Sequence, residues 1–283
     1  MQHHPHSHMR RIRHLNIFLL LLLYLSQIKA WRPCPELSPA LRLPCRCNVV
    51  PFASTGQLGA VAMDCDRVVF HGEAPQLPYG APIVSYSQRY SGQQVLPSQT
   101  FGTLKLPIEE MDLSNNLIRR IPEKAFLGLK ESLTELRLAN NLLGDSLNPI
   151  FSTAEFQPLK NLKTLDLSGN KIKSIEEGLL KGCTDLKDFY LDRNCLSAVP
   201  SNSLNGPNAL RLLSFRHNHI TTLPYEAFIA QPQLEIVDLR YNEIKSIEGL
   251  AFQGLRMIRE IKLAGNRITN LNSDVFERVP TLQ

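Results

Sequence analysis

Apolar side chains recur through the second half of the chain in one pattern with a fixed period. The pattern reads L-x-x-L-x-L-x-x-N-x-[IL]-x-x-[ILV], and one copy consists of Leu162, Leu165, Leu167, Asn170, Ile172 and Ile175. The following copies begin at Leu186, Leu210, Leu234, Ile258 and Leu282, so this part of the chain repeats every 24 residues. A fixed period of this size indicates a solenoid, in which each coil packs only against its neighbours.

At the centre of every copy two apolar residues flank one variable residue, and this alternation predicts a short strand with one buried face. Stacked coils would place these strands side by side, about 4.8 Å apart, in one parallel sheet. After each strand an asparagine recurs, and a buried amide can pair backbone groups of adjacent coils. The asparagine column is Asn116, Asn141, Asn170, Asn194, Asn218, Asn242 and Asn266. The column that fills the outer half of each coil is Phe126, Phe156, Leu180, Leu204, Phe228, Phe252 and Phe276.

The array from Ile108 to Gln283 holds seven recognisable repeats, and it departs from regularity in two places. A degenerate copy precedes it between Ile83 and Leu104, with Ser91 in the asparagine position, and we expect this copy to be the first coil. The coil that begins at Leu133 takes 29 residues to reach Leu162. Its extra residues, 144–154, predict a loop on the far side from the sheet.

Residues 1–30 have the layout of a secretory signal peptide. A basic segment ends at Arg13, the apolar run Ile17–Leu25 follows, and small Ala30 offers a cleavage point. The run is shorter than the roughly 20 apolar residues of a membrane-spanning helix, which leaves a signal anchor as the weaker alternative. The leader also carries His3, His4, His6, His8 and His14, which we interpret as part of a removed polar segment rather than as metal ligands.

The formal charge of +5 is concentrated in this leader, because residues 1–30 hold four basic residues and no acidic one, which leaves +5 − 4 = +1 for the rest. A chain without a basic field gives no indication of a nucleic-acid partner.

Four cysteines follow the leader: Cys34, Cys45, Cys47 and Cys65. In a secreted protein they predict a disulfide-bonded cap over residues 31–82, which covers the open edge of the first coil. A zinc site is the alternative, although Cys-x-Cys is tighter than the usual knuckle.

From Cys34 to Gln283 the chain resembles the extracellular leucine-rich repeat proteins, which combine a cysteine-rich N-terminal cap with typical 24-residue repeats. Within that family it looks most like the arthropod chaoptin-like group, which includes Artichoke-type matrix proteins. The resemblance implies an α/β-type solenoid, a horseshoe with a parallel concave β-sheet and a mostly irregular or short-helical convex side. It also implies disulfides from Cys34 to Cys47 and from Cys45 to Cys65.

The chain departs from this family at its end, because it stops at the opening of an eighth repeat without a C-terminal cysteine cap. We therefore expect a longer protein, with any membrane attachment encoded beyond residue 283. The domain prediction is a signal peptide over 1–30, a cap over 31–82 and repeats over 83–283. No N-x-[ST] sequence occurs, so no N-linked sugar is predicted on this piece.

Candidate binding residues are those whose side chains face away from the core where aromatic, aliphatic and arginine residues coincide, as they do at the centres of interfaces. They are Asp188, Tyr190, Asp192, Leu212, Arg216, Ile236, Arg240 and Tyr241. An ordinary cross-strand ion pair between Asp192 and Arg216 is the alternative reading of part of this set.

These patterns predict a secreted or cell-surface module that binds extracellular proteins, a second copy of itself included, in adhesion, matrix organisation or receptor recognition. No cofactor, metal or small-molecule substrate is indicated. The alternative is a structural matrix scaffold that uses the convex side and the 144–154 loop. A third hypothesis is a cysteine-dependent hydrolase, because Cys195, His219 and Glu243 follow the ladder asparagine in consecutive coils and imitate a nucleophile, a base and an orienting acid. Cys183, by contrast, fits a core position.

Overall fold

The computed structural model describes residues 31–37, 43–70, 77, 81–96, 98–145, 155–279 and 281–282. The expected signal peptide and residues 146–154 of the expected loop lie outside this set, so both stay predictions. The strands in the described ranges are β1 (Arg32–Pro33), β2 (Arg46–Pro51), β3 (Leu58–Asp64), β4 (Ile83–Ser87), β5 (Glu110–Asp112), β6 (Glu135–Arg137), β7 (Thr164–Asp166), β8 (Asp188–Tyr190), β9 (Leu212–Ser214), β10 (Thr222–Leu223), β11 (Ile236–Asp238), β12 (Ser246–Ile247) and β13 (Glu260–Lys262).

One long sheet runs through all the described coils, in the order β1-β2-β3-β4-β5-β6-β7-β8-β9-β11-β13. From β3 onward every neighbouring pair is parallel, and equivalent residues face each other, as Phe189, Leu213 and Val237 do. These three side chains are fully buried, because the alternation along each strand turns them inward. The predicted solenoid with a parallel sheet is therefore confirmed.

The cap contributes the first three strands of the sheet. Residues Leu58–Asp64 form β3, β2 pairs antiparallel with β3, and β1 pairs antiparallel with β2. The antiparallel strands place a tight hairpin, rather than an open parallel edge, at this end of the sheet. Disulfides join Cys34 to Cys47 and Cys45 to Cys65, the pairs that the family resemblance implies.

The asparagine column forms the predicted ladder of buried amides. In a representative coil, Asn170 donates from Nδ2 to the carbonyl oxygens of Leu138 at 3.0 Å and Leu167 at 2.9 Å, and its Oδ1 accepts from the N–H of Leu143 at 3.0 Å. One side chain thus ties its own coil to the one before. In the degenerate coil Ser91 takes over part of this role, because its Oγ reaches the carbonyl oxygen of Cys65 at 3.4 Å.

The convex side is built from turns and short helices, as expected. Phenylalanine rings stack between successive coils, with 5.9 Å between the centroids of Phe228 and Phe252 and 5.7 Å between those of Phe252 and Phe276. Cys183 is fully buried in this wall, and its Sγ donates to the carbonyl oxygen of Phe156 at 3.4 Å. The helical segments are Cys34–Leu37, Ser98–Thr103, Leu127–Leu129, Ser201–Leu204 and Ser273–Phe276. Among them none is long and apolar enough to cross a bilayer.

A small second sheet, β10 paired in parallel with β12, was not expected from the sequence. It joins the coils that begin at Leu210 and Leu234, on the segments that follow their ladder asparagines. Leu223 and Ile247 are buried there, while Thr222 and Ser246 are exposed. The two coils are therefore hydrogen-bonded to each other on both sides of the ladder.

Asn170→Ala should lower the free energy of unfolding by about 1–3 kcal/mol, because it leaves buried backbone donors and acceptors in two coils without partners. The measurement is the denaturant midpoint and slope of the full chain. Lys171→Ala is the matched control, since Lys171 is adjacent and exposed. Equal midpoints for the two variants would contradict a structural role for the ladder amide.

Candidate functional site: the concave face around Tyr190

The eight candidate binding residues lie together on the strand face that points away from the core. Residues Asp188, Leu212 and Ile236 face one another across β8, β9 and β11, and Tyr190 faces Ser214, which faces Asp238. The remaining four, Asp192, Arg216, Arg240 and Tyr241, follow the ends of the same strands. We call this set of eight residues the Tyr190 patch. Register alone accounts for their proximity, because identical positions of stacked coils meet.

The apolar members of the patch are less exposed than their strand positions suggested. Leu212 and Ile236 are half-buried, and only Tyr241 counts as an exposed large hydrophobic side chain, at 47%. Ser214 and Asp238 occupy the same outward rows but are buried. Neighbouring polar side chains cover Ser214 and Asp238, so only part of the outward strand face is accessible to solvent.

Asp192 is fixed by the following coil. Its Oδ1 accepts a short hydrogen bond from Ser214 Oγ and another, at 2.9 Å, from the backbone N–H of Arg216. The alternative of an Asp192–Arg216 side-chain ion pair is therefore wrong, because only the backbone of Arg216 makes the contact. Burial raises the pKa of Asp192, and the nearby Asp238 and Asp166 carboxyl groups raise it further against the opposing effect of the two hydrogen bonds.

The guanidinium of Arg216 instead covers the ring of Tyr241, with its Cζ 5.1 Å from the ring centroid, a distance typical of cation–π contacts. On one side Tyr241 stacks on His217, with centroids 4.5 Å apart and planes within 4°. At Gly265 a Cβ would come within 2.6 Å of the Tyr241 ring, so this glycine leaves the ring its space. Arg216 Nε is buried without a hydrogen-bond partner.

Sequence reasoning missed His217 as part of the site. His217 and Tyr241 both precede a ladder asparagine, and both adopt a left-handed backbone, with φ of 57° and 56°. This conformation turns the two rings to the same rim of the sheet, where they lie parallel. The sequence feature that could have revealed this pair is the column of residues that stand one position before the ladder asparagines. The same column includes Asn115, Asn140 and Gly169, which also have a positive φ.

The side chain of Arg240 forms a salt bridge with Asp238 of its own coil. Its Nε and Nη2 contact Asp238 Oδ2 at 3.0 and 2.5 Å. Burial opposes ionisation of Asp238, but the hydrogen bonds from Arg240 outweigh burial and hold the pKa of that carboxyl below its usual value. Arg240 therefore serves first to neutralise Asp238, and its exposed edge is what a partner could contact.

Acidic groups dominate the other side of the patch. Burial raises the pKa of Asp188, and Lys187 and Arg211 offset only part of that effect. The pKa of the Tyr190 hydroxyl is also raised, first by burial and then by Asp188, Asp166, Asp192 and Glu135 in decreasing order. Burial is the largest cause of both pKa shifts, and for Tyr190 the surrounding carboxyl groups add to it.

The column of the hydrolase hypothesis is only partly assembled. His219 Nδ1 lies 2.9 Å from Glu243 Oε1, and Arg267 Nη1 lies 3.4 Å from Glu243 Oε2. In the described part of the chain no hydrogen bond connects Cys195 to His219, and His219 is exposed. A nucleophile must contact its base, so these residues do not form a triad in this structure. The residues that the structure describes also contain no group of three histidine, cysteine or acidic residues that could hold a metal ion.

Comparisons with known proteins agree with this architecture. The leucine rich repeat family model matches residues 160–220, 210–268 and 232–283. A comparison with curated protein sequences gave no significant match. The solved TLR13-ssRNA13 complex aligns with a TM-score of 0.66 and 24% identity over 71% of this chain and 28% of that chain. The Toll–Spatzle complex of Drosophila aligns with a TM-score of 0.61 and 21% identity over 74% of this chain and 30% of that chain.

The chain spans less than a third of the length of either of these structures. At such identities the likeness shows the fold alone. Together with the family model, which matches within residues 160–283, it shows that the chain folds as a solenoid of leucine-rich repeats.

Alkylation should separate the two free cysteines. Burial raises the pKa of the Cys183 thiol to about 12, so native Cys183 should not react with iodoacetamide at mildly alkaline pH, whereas half-buried Cys195 should. His219→Ala should leave the Cys195 rate unchanged, because no hydrogen bond links the two. Mass spectrometry of digested samples measures both rates. A tenfold or larger fall in the Cys195 rate, roughly the scale of a lost general base, would revive the hydrolase hypothesis.

Asp188→Asn should raise the melting temperature modestly at neutral pH. The folded-state pKa of Asp188 lies above its ordinary value of 3.8, so ionisation costs the folded state more than the unfolded state. Stability is therefore lost as pH rises through that raised pKa, and the variant avoids this loss. The gain should vanish at pH values below 3.8, where both states are protonated. Glu176→Gln, at an exposed acid, is the control, and a gain that does not change with pH would contradict the assignment.

Proposed function

We propose that this chain is the ligand-binding portion of an extracellular, receptor-type protein, and that it recognises other proteins through the Tyr190 patch. The observation that carries the proposal is the continuous row formed by Asp188, Leu212 and Ile236 beside Tyr190 on three adjacent strands. Aliphatic and aromatic groups at the centre of a surface, with charged groups around them, are the composition of protein interfaces.

An extracellular location is supported by the cap. Its two disulfides form and persist in oxidising compartments, and they close the first coil over a segment too short to bury a large core. The signal-peptide pattern of residues 1–30 points to the same compartment. Expression of the full chain in a secreting cell line, followed by N-terminal sequencing of the product in the medium, tests both at once, with Trp31 as the expected first residue.

The related structures offer two kinds of ligand, since one shows TLR13 with RNA and the other shows Toll with Spatzle, a complex described as a hub in development and innate immunity. The charge of the strand face favours a protein for this chain. Asp166, Asp188 and Asp192 surround Tyr190 with negative charge, which repels a phosphate backbone. A basic protein partner meets no such repulsion.

The alternative is a structural role in matrix or adhesion, which the sequence resemblance to the chaoptin-like group supports. It would use the convex side, where Tyr225, Ile229 and Met257 are exposed. The two proposals place the contact on opposite faces of the solenoid, so substitutions on each face distinguish them.

The deciding experiment uses two matched variants of the full chain on an array of purified extracellular proteins that includes the chain itself. Leu212→Asp with Ile236→Asp should weaken binding about 30-fold or more, the effect of removing a central anchor of about 2 kcal/mol. Ile229→Asp with Met257→Asp, the same chemical change on the convex side, should leave binding unchanged. Loss of binding in the convex variant alone would favour the scaffold role and overturn the proposal.

A further inference from the structure

The basic side chains of the concave face are engaged within their own coils or with a neighbouring coil. Lys262 Nζ lies 2.8 Å from Glu260, and Arg89 Nη2 lies 2.5 Å from Asp66. The other such pairs are Arg137 with Glu135 and Arg240 with Asp238. Arg216 lies over the ring of Tyr241 instead. The face therefore offers a partner few free cations.

The acidic groups around Tyr190 lack equivalent neutralisation. Asp166 accepts a hydrogen bond from the N–H of Ser168, two residues on, at 2.9 Å, and Asp192 accepts two at Oδ1. Within the residues that the structure describes, the carboxyl group of Asp188 makes no hydrogen bond or salt bridge, and no salt bridge reaches Asp166 or Asp192. The nearest basic groups, Lys187 and Arg211, only partly offset the burial of Asp188, and Arg211 is itself 3.7 Å from Glu235.

Tyr190 lies at the centre of these three carboxyl groups. Asp166 is its partner across β7, while Asp188 and Asp192 are two residues before and after it on the same outward side. An aromatic face beside carboxylates attracts ammonium and guanidinium groups by charge and by cation–π contact. Among the described residues of this surface, no three acidic, histidine or cysteine groups form a cluster that could hold a metal ion.

Half-buried Leu212 and Ile236 continue the row that begins at Asp188. The row is acidic at its Asp188 end and apolar at its Leu212 and Ile236 end, so the two ends favour different side chains of a partner. It fits a chain segment in which a cationic side chain is followed by an aliphatic one, because each would then meet its complement.

We propose that the partner of the Tyr190 patch presents a basic segment, with a lysine or arginine side chain seated against Tyr190 among Asp166, Asp188 and Asp192, and an adjacent apolar side chain against Leu212 and Ile236. This inference rests on the proposed function and adds the chemistry of the ligand to it. The surface recognises a basic protein segment, and its affinity falls with ionic strength, because exposed charges are screened by salt.

The test selects binders for the full chain from a phage-displayed library of random linear peptides at low ionic strength. The selected peptides should be enriched in lysine or arginine next to an apolar residue. Asp166→Asn with Asp188→Asn should weaken their binding about tenfold or more, and added salt should weaken it in the wild type much more than in this variant. Glu176→Gln with Glu177→Gln is the control, because it removes the same charge from exposed positions outside the strands.

A second variant separates this inference from the proposed function. Peptides that lose binding to Leu212→Asp with Ile236→Asp, but are neutral or acidic and bind the Asp→Asn variant normally, would overturn the basic-segment inference and leave the proposed function standing. Peptides that bind every variant equally would overturn both. A selection that yields no binder also counts against the inference, because uncompensated carboxylates should retain basic peptides at low salt. Circular dichroism confirms that each variant is folded.

Discussion

The buried asparagine amide is the interaction on which the rest of the molecule depends. In each of the seven recognisable repeats the strand of the long sheet is only three residues long, and the chain must turn inward directly after it with backbone groups that no strand partner can satisfy. A side chain with both a donor and an acceptor resolves this for two coils at once, and that requirement fixes the identity of one residue in every repeat. Once the turn is fixed, strand register and the stacking of the convex phenylalanines follow, since every coil enters and leaves the sheet at the same height.

This arrangement leaves the outward strand positions free of the core-packing constraint that restricts the inward ones, and function can occupy them. The inward residues are nearly interchangeable leucines, while the outward ones differ from coil to coil. One such difference is whether an outward-facing acidic side chain has a basic side chain nearby that neutralises it. Most coils balance an acid with a base nearby, as Asp238 and Arg240 do, whereas the coil of Tyr190 does not. Such an imbalance raises the energy of the unbound protein, and a bound cation removes it.

Periodicity was sufficient to predict the sheet, the ladder and the convex column, because each of these follows from one residue type recurring at one position. It could not predict contacts that depend on backbone geometry between those positions. The stack of His217 on Tyr241 arises from a left-handed turn, and the Arg240–Asp238 pair forms within one coil rather than across strands. The hairpin of the cap was also out of reach, because residues 46–64 carry no copy of the repeat that could reveal their direction.

The clamped ring of Tyr241 has a consequence for the thermodynamics of association. A side chain that is free in the unbound protein loses rotamer entropy when a partner immobilises it, at a cost of about 0.5–1.5 kcal/mol each. The Tyr241 ring already contacts His217 and Arg216, and Gly265 leaves room for it in this position. The Arg240 side chain is already hydrogen-bonded to Asp238. This rim of the concave face is thus preorganised, so a ligand that touches it gains contact area with little further loss of conformational freedom.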